Sequence, residues 1–235
     1  MKNKKLIIVL AVAVVALDAV IAVILTHSGE NGGNENKEIT AETIANNLEV
    51  DKSANGIGIV GIQNIAGVFV EDGSDEVMGN IFTVDFRNDS DHYLQYAEIA
   101  LTIDGEEYSF KLTTVPSGAT VRAMEANRSE MPHSCEECEM RCEHIAWFGE
   151  EPSLHSDAIE IIEQDGGLVV KNISGQSIPA PIYVYYKNLE DDVYVGGITY
   201  RATITEELAA GETFAVGAGH FNVGHSRIMF VEYAE

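Results

Sequence analysis

The sequence predicts an all-β protein, built as two tandem β-sandwich modules after an N-terminal transmembrane helix. Three observations support this fold class. Short runs of alternating apolar and polar residues, separated by Gly, Asp and Asn, fill residues 56–235. Helix and strand patterns do not alternate there, which disfavours a parallel α/β sheet. A single continuous apolar run occupies residues 6–25.

The apolar run from Leu6 to Leu25 is long enough to cross a bilayer, because a helix of this length spans about 30 Å. Its one polar residue is Asp18. The preceding Met-Lys-Asn-Lys-Lys segment predicts a cytoplasmic N-terminus. We therefore expect residues 1–27 to form a cytoplasmic tip and an uncleaved signal anchor in the cell membrane, with the C-terminal domain extracellular. A cleaved signal peptide is the alternative, but the run is long and lacks a small-x-small cleavage site.

The charge balance excludes one class of partner. The chain has 38 acidic and 14 basic residues, a formal net charge of −24. Nucleic-acid binding needs Lys and Arg to replace the counterions of phosphate, so no nucleic-acid partner is expected. Hydrophobic residues make up 46% of the chain, which is enough for a packed core. Residues 28–55 begin with a Gly-, Asn- and Glu-rich stretch and are predicted to form a stalk.

The first sandwich module is predicted over residues 56–131 and the second over residues 156–235. Strict alternation places Phe82, Val84 and Phe86 on one face of a strand. Asp104-Gly105 between two alternating runs is a strong signal for a β-hairpin. Strands are predicted at 81–86, 97–103, 108–112, 120–123, 158–162, 168–172, 182–186, 193–204, 213–216 and 228–233.

The two predicted modules share a sequence pattern. Phe-Arg-Asn-Asp-Ser at 86–90 matches Val-Lys-Asn-Ile-Ser at 170–174, at an offset of 84 residues. Ser-Gly-Ala-Thr-Val at 117–121 matches Ala-Gly-Glu-Thr-Phe at 210–214, at an offset of 93. The change in offset predicts nine extra residues in the hairpin of the second module.

The residues of the second module also resemble a known kind of module. Val-Lys-Asn-Ile-Ser at 170–174, Tyr-Val-Tyr-Tyr at 183–186 and Leu-Ala-Ala-Gly-Glu-Thr at 208–213 resemble, in order, the motifs of Ig-like bacterial envelope modules of the FxLYD kind. The chain as a whole resembles membrane-anchored surface proteins of Gram-positive bacteria. The resemblance implies Ig-like modules, an envelope location and a non-catalytic role, and it supplies no catalytic residues.

All three cysteines lie in the predicted connector, residues 132–155, and three interpretations stay open. Cys135, Cys138, Cys142 and His144 are a candidate tetrahedral metal site. A Cys135–Cys138 disulfide is the second interpretation, since exported proteins meet oxidising surroundings. The third is packing: Ser134-x-x-Glu137 is a capping box, and a helix starting there would place the cysteines on one stripe.

Other candidate sites are weaker. Trp147 and Phe148, at the end of the connector, are favoured as packing that fixes the angle between the modules, and they are candidate binding residues in the alternative interpretation. Acidic runs at 71–76 and 190–192 are candidate calcium loops, with charged hairpin tips as the alternative. His220 and His225 are expected to be solvated loop histidines, and no nucleophile elbow accompanies them.

These observations predict a membrane-anchored extracellular protein that binds a partner or acts as an envelope scaffold. An extracellular protein or glycan is the expected partner, besides the membrane itself. No enzymatic activity and no cofactor are expected. The alternative function is a pilin-like fibre or secretion-apparatus component, which the missing Gly-Phe processing site disfavours.

Overall fold

Strands build the described part of the chain, which in this computed structural model comprises residues 56–133, 137–234 and the backbone of 48–49. No helix forms within these ranges, so the predicted all-β class is confirmed. The predicted anchor at 6–25 and most of the predicted stalk lie outside the described residues. The strands are β1 (Leu48–Glu49), β2 (Ile57–Phe69), β3 (Glu76–Asn88), β4 (Leu94–Ile103), β5 (Glu106–Val115), β6 (Thr120–Met124), β7 (Cys138–Trp147), β8 (Ile159–Gln164), β9 (Gly167–Asn172), β10 (Ile182–Glu190), β11 (Val193–Ile204), β12 (Thr213–Gly217) and β13 (Ser226–Tyr233).

Strands β2–β7, the first half, and strands β8–β13, the second half, have the same arrangement. In the first half, the layer β7-β4-β5 faces the layer β6-β3-β2. In the second half, β13-β10-β11 faces β12-β9-β8. Each pair of layers encloses its own apolar core, and short β1 adds to β7 as a parallel strand. Each strand of the first half therefore has an equivalent six strands later.

The two halves repeat the same hydrogen bonds at the offsets that the sequence predicts. Asn88 is buried, and its Nδ2 donates to the carbonyls of His92 and Val115, both at 2.9 Å. Asn172 is buried too, and its Nδ2 donates to the carbonyls of Gln176 at 2.7 Å and Leu208 at 2.8 Å. In both halves the Ser two residues later donates its hydroxyl to Asn Oδ1 at 2.7 Å. The Asn side chain thus ties the end of one strand to two loops.

The strand registers repeat in the same way. Phe86 of β3 faces Val121 of β6, and Val170 of β9 faces Phe214 of β12. These positions are 84 and 93 residues apart, as in the sequence match. The offset changes from 84 to 93 residues within the β4–β5 hairpin and its equivalent, the β10–β11 hairpin. The first hairpin turns at Asp104-Gly105, whose φ angles of 49° and 85° suit a tight turn, whereas the second continues to Asp191-Asp192.

The extended second hairpin joins the two halves. Near its tip, Tyr194 and Val195 of β11 pair in parallel with Val121 and Arg122 of β6. This pairing fuses one layer from each half into a single six-stranded sheet, in the order β13-β10-β11-β6-β3-β2. A small apolar cluster around Phe69 packs beside this joint.

A lysine lies fully buried at the joint. Lys187 of β10 faces an irregular stretch of β11, and its Nζ donates to the carbonyls of Gly196 at 3.2 Å, Gly197 at 3.2 Å and Ile198 at 2.5 Å. It also donates to the carbonyl of Thr113, at 3.1 Å, on β5 of the first half. A fully buried ammonium is stable only with such partners, so the lysine binds the two halves to each other.

Glu71 completes the joint from the first half. Its Oε1 accepts the backbone N–H of Met124 on β6 at 3.0 Å and that of Gly197 on β11 at 2.7 Å. Burial raises the pKa of Glu71, against the opposing effect of these hydrogen bonds and of Lys187. Burial lowers the pKa of Lys187 to about 7, against the opposing effect of the Glu71 carboxylate. The joint therefore contains two titratable groups removed from water.

The approach of β11 to β5 requires a residue without a side chain. A Cβ at Gly197 would lie 1.7 Å from the carbonyl oxygen of Lys111. The hydroxyl of Thr113 donates to the carbonyl of Gly197 at 2.7 Å across the same contact. Glycine at this position lets the two backbones come close enough to surround the ammonium of Lys187.

The cysteine segment is a strand, and the predicted helix at this position is wrong. Residues Cys138–Trp147 form β7, which pairs antiparallel with β4. Cys138 and Met140 are buried against the first core, whereas Glu139 and Arg141, which alternate with them, are exposed. This period of two is typical of a strand. The open side of β4 supplies inter-strand hydrogen bonds, which together stabilise the strand more than a capping box stabilises a helix.

We predict that N88A and N172A each lower the free energy of unfolding by about 2–3 kcal/mol, because one buried and one part-buried carbonyl lose their donor. The exposed Asn222 is the matched control, and N222A is expected to change stability by less than about 0.5 kcal/mol. Urea denaturation followed by circular dichroism measures all three. A loss at only one of the two buried positions would show that the repeated network does not stabilise both halves.

We predict that K187M lowers the free energy of unfolding by about 3–5 kcal/mol, because it leaves buried carbonyls without a hydrogen-bond donor and the Glu71 carboxylate without a nearby cation. The control is K171M, since the Lys171 side chain is 42% exposed and lies 3.3 Å from Glu160. An exposed pair contributes at most about 1 kcal/mol, so K171M is expected to be nearly neutral. Equal effects of the two substitutions would contradict the role of Lys187.

A comparison of wild type with K187M also tests the pKa of Lys187. The unfolded chain keeps the lysine proton up to about pH 10.5, whereas the folded chain releases it near pH 7. The unfolded state therefore binds more protons in this window, so stability relative to K187M rises with pH from about 7 to 10.5, falls over the same range as the pH is lowered, and is flat below it. Glu71 acts oppositely on the acid side, because stability falls as the pH rises from 4.5 to its raised pKa. A flat difference between wild type and K187M above pH 7 would overturn the assignment.

Candidate functional site

An open groove lies in the second half, between the two layers that enclose the second core. It has a volume of about 620 Å³ and is bounded by β8 on one side and β13 on the other. Both strands are at the edges of their sheets. The apolar residues that line the groove are Leu154, Ile159, Ile161, Ile173 and Ile228.

Exposure varies across the groove. Ile159 is 3% exposed and forms part of the second core, whereas Leu154 and Ile173 are each 44% exposed. Large apolar side chains exposed together at a sheet edge are typical of a surface that binds another molecule. The groove therefore combines an apolar floor with backbone groups of an edge strand.

The charged residues of the groove are mostly acidic. Glu160 and Glu163 of β8 line it, together with Arg227 of β13. Lys171 is 3.3 Å from the Glu160 carboxylate and partly balances it. With a net charge of −24 on the whole chain, the groove lies in a negative field.

Phe148 lies between the two halves rather than in an open site. Its ring makes edge contacts with Tyr93, with centroids 5.6 Å apart, and with Phe230, at 5.5 Å. The neighbouring Trp147 is partly exposed, and its ring lies 6.3 Å from that of His92. The contacts of Phe148 thus agree with the packing interpretation of this aromatic pair.

The sequence-predicted metal ligands point to different surroundings. Cys138 takes part in a disulfide, and Cys142 is a free thiol packed against the first core. His144 is exposed, with its Nε2 3.7 Å from the Glu98 carboxylate. Among the described residues, no group of three His, Cys, Asp or Glu side chains is placed to hold a metal ion. Cys135 lies outside the described residues, so its pairing with Cys138 stays a prediction.

The two acidic runs form hairpin tips and ion pairs. Arg128 binds Asp72 at 2.5 Å and Glu76 at 2.6 Å. Arg122 lies 3.3 Å from Glu190 in the second run. Arginine therefore pairs with Asp72 and Glu76 of the first run and with Glu190 of the second.

The two candidate histidines, His220 and His225, have different surroundings. His220 stacks on Tyr200 with ring centroids 4.5 Å apart, and its Nε2 is 3.5 Å from Asp75. His225 is exposed, and the hydroxyl of neighbouring Ser226 donates to Asn188 at 2.7 Å. This serine is hydrogen-bonded to an amide oxygen, which does not activate a nucleophile.

Sequence patterns did not reveal the groove or the buried lysine. Ile159 and Ile228, on its two sides, are far apart in the chain and meet only through the sheet order. Lys187 follows an alternating aromatic strand, where a lysine is ordinarily a solvated residue. The nine extra hairpin residues are the one signal that marked this region.

Sequence comparisons add no relatives to this description: no protein-family model and no curated protein matches the chain. Within the residues that the structure describes, no helix has the length and apolar character needed to cross a membrane. The predicted anchor at 6–25 is outside that part of the chain.

We predict that the Cys142 thiol is slow to alkylate in the folded protein. Burial raises its pKa from 9.0 to about 11, which lowers the thiolate fraction at pH 8 about a hundredfold. Iodoacetamide at pH 8, followed by mass spectrometry, gives the rate in native buffer and in urea. A native rate close to the rate in urea would show that the thiol is not held in the core.

Proposed function

We propose that this chain is a membrane-anchored extracellular protein without catalytic activity, which binds a partner or acts as a scaffold in the cell envelope. In this proposal the two halves are tandem Ig-like modules, displayed outside the membrane by the anchor at residues 6–25. The expected partner is an extracellular protein or glycan.

The observation that carries the proposal is the six-stranded sheet shared by both halves. The extended hairpin and the buried Lys187 hold the two repeats in one body, so their surfaces keep a fixed geometry. Such rigidity suits a protein that presents edges and loops to a partner, because little ordering entropy is lost on binding.

The disulfide at Cys138 supports the extracellular location. Disulfides form and persist in oxidising compartments and are rare in the cytosol. The lysines of the N-terminal Met-Lys-Asn-Lys-Lys segment support the orientation, since positive residues stay on the cytoplasmic side.

We predict that external protease removes a C-terminal epitope tag from the full-length chain on intact cells. The matched variant K2E/K4E/K5E loses the orienting charge, so a smaller fraction of its tags is expected to be cleaved. Immunoblotting before and after lysis measures the protected fraction. Complete protection of the wild-type tag until lysis would overturn the extracellular location.

The binding role is tested on the same cells by chemical crosslinking. The wild-type chain is expected to give a discrete adduct with an envelope protein or glycan, identified by mass spectrometry. A chain that stays uncrosslinked beside neighbouring envelope proteins that do crosslink would contradict the binding role.

A further inference from the structure

We propose that the β8–β13 groove binds an extended segment of another protein, rich in basic and apolar residues, which pairs with β13 as an added parallel strand. This inference rests on the proposed binding role and names the chemistry of the partner.

The first half shows how such an edge is filled. Leu48 and Glu49 of β1 pair in parallel with Cys138 and Glu139 of β7. On the other side of β7, Glu139 faces Thr102 of β4. The first half therefore has a short parallel strand on the outer side of the strand equivalent to β13.

The registers place the groove at the equivalent position. Leu101 of β4 and Tyr186 of β10 both point into their own cores, and they face Met140 of β7 and Ile228 of β13. Ile228 is therefore the equivalent of Met140, and Ser226 and Arg227 are the equivalents of Cys138 and Glu139. Both Ser226 and Arg227 line the groove. The position taken by β1 in the first half is thus the open groove of the second half.

The backbone of β13 is directed to accept a strand there. Leu189 donates its N–H to the carbonyl of His225, so the backbone carbonyl of residue 225 points inward to β10. Because residues of an antiparallel strand alternate, the backbone groups of Ser226 and Ile228 point outward to the groove. Further along, the outward N–H of Val231 donates to the carbonyl of Ser153 at 2.9 Å, which shows the chain already using this edge.

The side chains define the character of the incoming strand. Alternate residues of a strand point to opposite faces, so every second side chain would enter the apolar floor formed by Ile159 and Ile228. The remaining side chains would point away from β8 toward solvent, in the negative field of a chain with a net charge of −24. An alternating apolar and basic segment fits both requirements.

Charge favours another protein over a second copy of this chain. Two copies with a formal charge of −24 each repel, and the acidic rim of the groove adds to this repulsion. A basic segment gains attraction from the same field. Self-association through β1 of a second copy is therefore the competing outcome of the test.

The experiment measures binding of a fluorescent decapeptide of alternating lysine and valine to the full-length protein in detergent, by anisotropy. Its counterparts are an alternating glutamate and valine decapeptide and a peptide of residues 44–53 of this chain. We expect the basic peptide to bind at least about tenfold more tightly than either. Equal binding of the acidic peptide, tighter binding of the 44–53 peptide, or no binding of the basic peptide would overturn the proposal.

Substitutions locate the site. L154K and I173K each put a cation into the groove at a position that is 44% exposed, so the fold tolerates them. Each is expected to weaken binding of the basic peptide about tenfold. V77K is the matched control, because Val77 is 79% exposed and belongs to β3. Equal effects at all three positions would show that charge alone, and not the groove, determines binding.

Hydrogen exchange separates strand addition from simple adhesion. Bound basic peptide is expected to slow exchange of the Ser226 and Ile228 amides and to leave the β12 edge unchanged. Protection absent from β13 would contradict strand pairing. If the full chain crosslinks to an envelope partner on cells and L154K and I173K crosslink equally well, the binding role stands and the groove proposal fails.

Discussion

The burial of one lysine at the junction of the two halves constrains the rest of the structure. An ammonium group can leave water only when carbonyl or carboxylate oxygens surround it. Here the oxygens come from β11 of one half and β5 of the other, with Glu71 nearby. Neither half supplies the complete set, so the site exists only while the halves are joined. The joint thereby makes two repeats behave as one body.

The repeat explains both the similarity of the halves and their differences. Asn88 and Asn172 close equivalent corners with equivalent hydrogen bonds, and each half has the same strand order. Added hairpin residues in the second half extend β11 far enough to pair with β6. The opposite difference occurs at the outer edge, where β1 covers β7 and β13 stays open beside the groove. One departure from the repeat joins the halves, and the other leaves a surface on which a partner can bind.

Local sequence patterns predicted much of this fold, because strands and tight turns depend on residues that are neighbours in the chain. The alternation at 81–86, the Asp104-Gly105 turn and the repeated Asn-x-Ser turn all have local causes. The cysteine strand was missed because a capping box competed with a pattern of period two. Tertiary pairing with β4 decides between them, and nothing local reports it.

The joint and the groove depend on which edges meet, and one sequence does not specify that. Lys187 is identified as a buried residue only when the carbonyls of residues 113 and 196–198 are placed around it. The groove likewise needs the sheet order that brings β8 and β13 to the same opening. The net charge, by contrast, is additive along the chain, so the acidic character of the surface was evident from composition.

The central claim is that the shared sheet and its buried lysine make the two halves a single cooperative unit. Native-state hydrogen exchange in increasing urea tests it directly, by comparing core amides of β3 in the first half with those of β9 in the second. The account predicts that both sets become exchangeable at the same urea concentration and with the same slope. Separate transitions for β3 and β9 would show that the halves unfold independently, which would contradict the claim.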